Sequence, residues 1–369
     1  MSSEVPDGWR SVPLGEVIRL EYGRALSASV REAGNIPVYG SNGICGEHSA
    51  ALVNERGIVV GRKGTAGSVT VTTGPFWPID TTYFVAPRVK ADFDWMAAML
   101  EHARLSELNE ATGVPGLNRD KAYIQPILLP PLDEQRRIAE VLRSVDVAIT
   151  TAGAVLSQTI EAREHQLERL MALPGDMRPL ADVCRLGGGY GFPIKHQGKR
   201  SGAYPFAKVS DMNRPGNETE LVSAENYVDQ ADLKVLRAKP FPPGTTFFPK
   251  VGATLLTNKR RISSSEIIVD NNVMGAVPTA IESWFLFYAF NTIDMADYVQ
   301  PGAVPSVNQG TVGKIMIPVP SRKVQRDYVS TMRDLDSAIE AQRATISSLR
   351  ITKAAVSADL LSGSVRVPA

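Results

Sequence analysis

The chain has 369 residues with 40 basic and 39 acidic side chains, a formal net charge of +1, 43% apolar content and 21% charged content. That length allows two or three domains with sizeable cores, and the composition is that of a folded protein rather than a disordered one. Balanced charge excludes a freestanding, strongly basic nucleic-acid binder, and two cysteines (Cys45 and Cys184) exclude a disulfide framework. No window of about 18 apolar residues is present to span a membrane, and the opening segment MSSEVPDGWR lacks the apolar core of a signal peptide. A cytoplasmic location is expected.

In chain order, residues 9–20 (WRSVPLGEVIRL) read as a short apolar lead-in to a turn at Gly23. From there to about residue 90, runs rich in valine, threonine and aromatics, bounded by glycine and proline, predict strands. Phe93 to Asn109 reads as a helix. Leu129 to Met171 then opens on two prolines and a capping Asp133, and predicts one helix of about 39 residues, roughly 58 Å long at 1.5 Å per residue. The order repeats after it. A lead-in at 178–186 (RPLADVCRL) meets a glycine turn at 187–189, and strand-like runs follow (AYPFAKVSDM, GTTFFPKVGATLLTNKRR, SEIIVDNNVMGAVP). A helix from Ser283 to about Phe290 and a long helical segment from Val319 to Ser362 complete the second half.

The halves align without a gap at an offset of 190 residues. Val114, Pro115, Asn118, Ile127, Pro130, Gln135, Arg136, Arg143, Asp146, Ala148 and Ile149 recur there, 11 of 36 positions. Unrelated sequence of ordinary composition would give about 6% identity. A period this long means a duplicated domain rather than a solenoid. Upstream, Asp80 pairs with Asp270, and Pro13-Leu14 with Pro179-Leu180 at a shorter offset. The expected division is a globular region at 1–132, a long helix at 133–172, a second globular region at 173–320, and a second long helix with its tail at 321–369. Each globular region is expected to be mixed α/β, with a bent, largely antiparallel sheet.

The long helices carry seams. Met332, Leu335, Ile339, Gln342, Ile346, Leu349, Lys353, Val356 and Leu360 keep a 3-4 spacing. Ile138, Leu142, Val145, Ile149, Ala152 and Leu156 do likewise, before a slip at Ile160 and a resumption at Leu167 and Leu170. Each helix could lie on its own domain, but two seams of equal length in one chain are each other's nearest partner. Antiparallel pairing is therefore expected, with Gln342 and Lys353 fixing register.

Signs of catalysis are weak. Gly61-Arg62-Lys63-Gly64-Thr65-Ala66-Gly67 lacks the order of a phosphate-binding loop and sits between two strands, so a tight turn explains its glycines. The second half has Pro249-Lys250-Val251-Gly252 in its place. Cys45 and His48 find no second ligand pair for zinc, and His102, His165 and His196 are scattered. Asp229…Asp232-Leu233-Lys234 resembles a nuclease element only in outline, and a solvated helix accounts for it.

Reading a duplex needs Arg and Lys for guanine, and Asn and Gln for adenine. Such side chains cluster as Arg62, Lys63, Asn118, Arg119 and Lys121 in the first half. In the second they are Lys195, His196, Lys199, Arg200, Lys250, Asn258, Lys259, Arg260, Arg261, Asn308 and Gln309. A run such as Lys259-Arg260-Arg261 is equally a solvated face, but its loop matches a loop of the other half.

The stretch GVPGLNRDKAYIQPILLPPLDEQRRIAEVLRSVD, repeated in kind, resembles the boundary between target-recognition domain and conserved helix in specificity subunits of type I restriction–modification systems. The likeness covers the whole chain. It implies a non-catalytic protein with a target-recognition domain at each end of an antiparallel helix pair, each domain reading one half of a split double-stranded DNA site. Two methyltransferase (modification) subunits would dock on the helices, and restriction–translocase subunits would join them. S-adenosylmethionine, ATP and magnesium would sit on those partners, with no cofactor or metal on this chain. Helix pairing and docking are expected from Gln135, Arg136, Ile138, Leu142, Val145, Ile149 and Leu156, and from Gln325, Met332, Leu335, Ile339, Ile346, Leu349 and Val356. One departure stands out: the second helix begins Pro318-Val319-Pro320-Ser321-Arg322-Lys323-Val324-Gln325-Arg326, without the Pro-Pro pair or the Asp-Glu of residues 130–134. Two other classes stay open: a nuclease or nucleotide-dependent enzyme using residues 172–320, and a scaffold that binds no DNA.

Overall fold

Residues 5–108 and 115–368 are described in a computed structural model of the chain, which divides into two units: residues 1–154 with 343–369, and residues 155–342. Val114 of the repeat and the expected helix end at Asn109 lie outside the described residues. In unit 1 the strands Ile18–Tyr22, Thr82–Pro87, Ile58–Gly61 and Val69–Val71 form an antiparallel sheet in that spatial order. A second sheet holds Gly43–His48, Ile36–Gly40 and Trp77–Pro78, the last pair parallel. Arg10–Pro13 and Pro126–Leu129 make an antiparallel ribbon.

Unit 2 repeats all three. Its four-stranded sheet is Cys184–Gly188, Val273–Pro278, Thr246–Pro249 and Arg261–Ile262. Its three-stranded sheet is Asn226–Val228, Tyr204–Ala207 and Ile268–Val269, again with one parallel pair. Its ribbon joins Asp176–Pro179 to Met316–Val319. The mixed α/β architecture and the largely antiparallel pairing are as expected, the strands of each unit being shared among a four-stranded sheet, a three-stranded sheet and a two-stranded ribbon.

Each unit is filled by one helix. Phe93–His102 is amphipathic and buries Trp95, Met96, Met99 and Leu100, while Asp92 caps it by accepting from the amides of Asp94 and Trp95. Arg104 in the left-handed region (φ 46°) stops it well before Asn109. Its counterpart Ser283–Asn291 is apolar all round, with Phe285 through Phe290 buried. Fully burying a side chain such as Phe285 or Leu286 stabilises unit 2 by roughly 1.5–3 kcal/mol.

The long helices are Leu132–Arg169 (38 residues) and Arg322–Ser362 (41 residues). Among the described residues no helix is long and apolar enough to cross a membrane. Within unit 1 the two run antiparallel. Ile138, Ala139 and Leu142 share a core with Val356, Leu360 and Leu361, and Lys353 Nζ lies 2.7 Å from Asp146 Oδ1. Val145, Ile149, Ile346 and Leu349 are half-buried. Within unit 2 they also run antiparallel. Arg163 pairs with Asp336, the Tyr328 hydroxyl donates to the Gln166 carbonyl at 2.9 Å, and Leu170 packs with Met332. Leu156 and Leu335 are half-buried and Ile339 is buried. The seam pairs the helices and rests on the globular parts at once.

Gln135 and Gln325 correct an expectation. Both are buried and turned into their own units, away from any docking surface. Gln135 Oε1 accepts from the Asp92 amide at 2.8 Å and its Nε2 donates to the Pro130 carbonyl at 2.9 Å. Gln325 does the same with the Glu282 amide and the Pro320 carbonyl, both at 2.8 Å. In each unit the glutamine therefore ties the cap of the domain helix to the entry of the long one. Arg136 is exposed beside Asp133.

Unit 1 adds a tie that unit 2 lacks at the matching position, where Val324 stands. Glu134 is buried; its carboxylate accepts from Arg366 (2.6 and 2.8 Å) and from the Trp9 indole (2.8 Å). The Arg366 hydrogen bond, aided by Trp9, holds the Glu134 carboxyl below the usual carboxylate range. A carboxyl depressed in the folded state contributes stability above its unfolded value of about 4.3, and loses it as pH falls through the folded value. Thermal melts from pH 6 down to pH 3 should therefore fall less steeply for Glu134→Gln than for the parent chain; parallel curves would show that the tie adds nothing.

Candidate nucleic-acid interface

In unit 1 the strand ladder sets Tyr22 beside Tyr83, and Tyr83 beside Val60. The next strand ends at Gly61, and the glycine-rich stretch after it closes on itself: the Gly61 amide donates to the Ser68 carbonyl, and the Gly67 amide returns to the Gly61 carbonyl, both at 2.8 Å. A β-carbon at Gly61 would lie 2.1 Å from the Thr65 carbonyl oxygen, so only glycine fits. This is the tight turn expected from the sequence. It presents Arg62 and Lys63, whose amides both donate to the Thr81 carbonyl. The Arg62 guanidinium also donates to the Asp80 carbonyl at 2.7 Å.

A second segment meets this turn. Lys63 bridges to Gly116, and the Leu117 amide donates to the Arg62 carbonyl at 2.9 Å. Asn118 follows and caps the short helix Arg119–Tyr123, accepting from the amides of Asp120 and Lys121. Arg119 is thereby brought over Tyr22, its guanidinium carbon 5.0 Å from the ring centre. Arg62 lies 5.1 Å from the same centre. Two guanidiniums thus share one aromatic ring that is itself 50% exposed. Burial, with the neighbouring Tyr22, pushes the Tyr83 phenol up to about 12. Lys63 is exposed at the edge and Lys121 is half-buried on the short helix.

Sequence reasoning missed Tyr22. The aromatic that ends the lead-in, just before Gly23, was the available signal.

The corresponding place in unit 2 is built alike. Gly188 lies beside Met274, and Met274 beside Phe248. Lys250 follows the strand, its carbonyl accepts from the Val307 amide at 3.0 Å, and Val251 bridges to Ser306. Asn308 caps Gln309–Gly313 through the Thr311 amide. A β-carbon at Gly188 would sit 3.3 Å from Lys250 Nζ and 3.9 Å from Gln309 Nε2, which places those two side chains together.

The other basic candidates of unit 2 are not gathered there. Lys195 and Arg200 are exposed on the segment before Tyr204–Ala207. His196 faces Asp232 at 3.6 Å. Lys199 lies between Asp229 (2.6 Å) and Asp232 (3.2 Å), chiefly the first of which raises its pKa above the ordinary lysine value. That element reads as a solvated, self-neutralised helix cap.

The run at 259–261 requires a correction. Arg260 is only 3% exposed and reaches inward, donating to the carbonyls of Phe290 and Ile293 and to Asn258 Oδ1, each at 3.2 Å. Its guanidinium stands 5.5 Å from the Phe248 ring, and burial brings its pKa down to about 10. Asn258 also accepts from the Met295 amide and donates to Asp294. Arg261 donates to the carbonyls of Met212 and Arg260. Lys259 binds Asn213. Arg260 therefore clamps the end of helix Ser283–Asn291 and is unavailable to a nucleic acid; Asn258 braces the same corner, while Arg261 ties the run to Met212. Among the described residues no group of three or more His, Cys, Asp or Glu side chains could hold a metal ion.

A family model described as the type I restriction modification DNA specificity domain matches residues 6–162 and again residues 175–349. The chain is 26% identical, over 153 residues, to the EcoprrI type I restriction enzyme specificity subunit of Escherichia coli; that match spans 39% of this chain and 38% of the relative. The fold is similar to that of the S subunit of a type I restriction–modification system from M. genitalium, with a TM-score of 0.63 at 14% identity, covering 98% of this chain and 97% of the other. A chain from a structure of complex assembly and conformational transition in the type I system gives 0.59 at 14% identity, covering 98% and 100%.

Proposed function

This chain belongs to the family of type I restriction–modification DNA specificity domains, and on that footing we propose that it is the sequence-reading subunit of a multi-subunit DNA methyltransferase. Each unit reads one half of a split double-stranded site through the turn after its third sheet strand and the short capped helix beside it. The long helices set the separation of the two half-sites and offer their outer faces to two methyltransferase subunits. Methyl transfer from S-adenosylmethionine takes place on those subunits; restriction–translocase subunits, with ATP and magnesium, join the same assembly.

The observation that supports this reading is the repetition itself: two copies of one framework, each ending in a cluster of hydrogen-bonding side chains. One good bidentate base contact discriminates by about 1–3 kcal/mol, too little to pick a site from a genome. Two tethered readers combine their energies when the spacing fits, and helices hold a spacing that a flexible linker would blur. Near-neutral charge is consistent with partners that supply much of the phosphate contact.

The test is methylation by the chain together with its methyltransferase partner. Cognate duplex should be modified and scrambled duplex left alone; equal modification of both would refute the reading. The spacing can be tested separately. Inserting one helical turn, about four residues or ~6 Å, beside Thr151 and beside Ser348 should lengthen the preferred spacer by about two base pairs at ~3.4 Å each. An unchanged spacer would mean that the helices do not set it.

A further inference from the structure

The repeated framework makes the two units each other's control. Their ladders equate Tyr22, Tyr83 and Val60 with Gly188, Met274 and Phe248, position by position. One residue past the strand, Arg62 stands where Lys250 stands, each with its carbonyl taken by the incoming segment, from Leu117 or from Val307. That segment leads to Asn118 or Asn308, each an asparagine whose side chain caps the next helix, and the residue after it is Arg119 or Gln309. Strands, bridge and cap are held constant. Of the side chains that change, three bear on recognition by their chemistry: Tyr22 to Gly188, Arg62 to Lys250, and Arg119 to Gln309.

These three alter hydrogen-bonding chemistry while the backbone around them is kept. A guanidinium matches the two major-groove acceptors of guanine, N7 and O6, whereas a glutamine amide matches the acceptor and donor of adenine, N7 and the N6 amine. In unit 1 both guanidiniums already lie over the Tyr22 ring before any ligand arrives, so less freedom is lost on binding. In unit 2 the ring is missing, and Lys250 and Gln309 occupy the space beside Gly188.

We propose that Arg119 and Gln309 are paired specificity-determining residues: Arg119, held with Arg62 on the Tyr22 ring, selects a guanine in one half-site, and Gln309 selects an adenine in the other. The recognised site is then asymmetric by chemistry, not merely by the order of its halves. This inference rests on the reading of the chain as a DNA specificity subunit. The competing role for both residues is contact with the phosphate backbone, which positions a protein without reading sequence.

Selection from a pool of fully randomised duplexes separates these cases, using the full chain in complex with its methyltransferase subunit. The parent complex should select a split motif. Arg119→Gln should change guanine to adenine at one position of one half and leave the other half untouched; Gln309→Arg should make the reverse change in the opposite half. Discrimination at the affected position should shift about tenfold to a hundredfold, the range of one bidentate contact. Arg119→Lys, which keeps the charge but loses the planar fork, should retain binding to random DNA and weaken the guanine preference. If Arg119→Gln lowers recovery of every sequence alike and leaves the motif intact, the contact is to phosphate and the proposal fails while the functional reading survives. A parent complex that selects no motif sinks both. Melting curves matching the parent's exclude misfolding as the cause of any change.

Discussion

Replacing Arg62 and Arg119 together with alanine is expected to cut the affinity of the assembled complex for its cognate duplex by roughly thirtyfold to ten-thousandfold. The figure follows from two bidentate contacts at about 1–3 kcal/mol each. Folding should be spared, because both side chains lie at the surface over Tyr22 and each stack contributes only about 0.5–1 kcal/mol. The matching change in unit 2, Lys250→Ala with Gln309→Ala, should cost less, since no aromatic ring immobilises those side chains. Titrating labelled cognate and random duplexes at two salt concentrations checks the result. An equal loss on both DNAs would reduce the arginines to charge, and no loss would move the interface elsewhere.

The second large effect concerns stability. Gln135→Leu leaves the Asp92 amide and the Pro130 carbonyl without partners in a buried place, and Gln325→Leu does the same to Glu282 and Pro320. At about 1–3 kcal/mol for each of the two orphaned groups, either substitution should cost roughly 2–6 kcal/mol. That is a large share of the 5–15 kcal/mol typical of a domain. Urea titration of each unit, followed by hydrogen exchange, should show the loss in unit 1 for Gln135 and in unit 2 for Gln325, with the double variant close to the sum. A midpoint unmoved by either leucine would show that neither hydrogen bond contributes.

The duplication, the long helices and their seams were legible because their periods survive in a single sequence. The recurrence of Asp146 as Asp336 proved to have a cause in contact: each faces a basic residue of the other long helix, Lys353 or Arg163. Gln135 and Gln325 were recognised as a repeated pair but assigned to the outside, because a polar residue on a helix reads as exposed until its partners are known. Arg260 fails for a related reason. Nothing in Lys259-Arg260-Arg261 says which of three neighbouring cations turns inward, and the carbonyls that receive it belong to a helix end elsewhere in the chain. Tyr22 was visible only as an aromatic before Gly23; its role depends on two segments, around Arg62 and Arg119, that the folded sheet brings over it.

The acid–base pairs between the long helices carry a further consequence. Asp146 and Arg163 occur on the first in the same order, and at the same interval, as Asp336 and Lys353 on the second. The code is a palindrome: read from either strand of the rod it spells the same message, so it sets alignment yet gives neither helix a name. At the margins the helices do differ: one opens on Glu134 gripped by Arg366 and the other on Val324, which has no charge to grip.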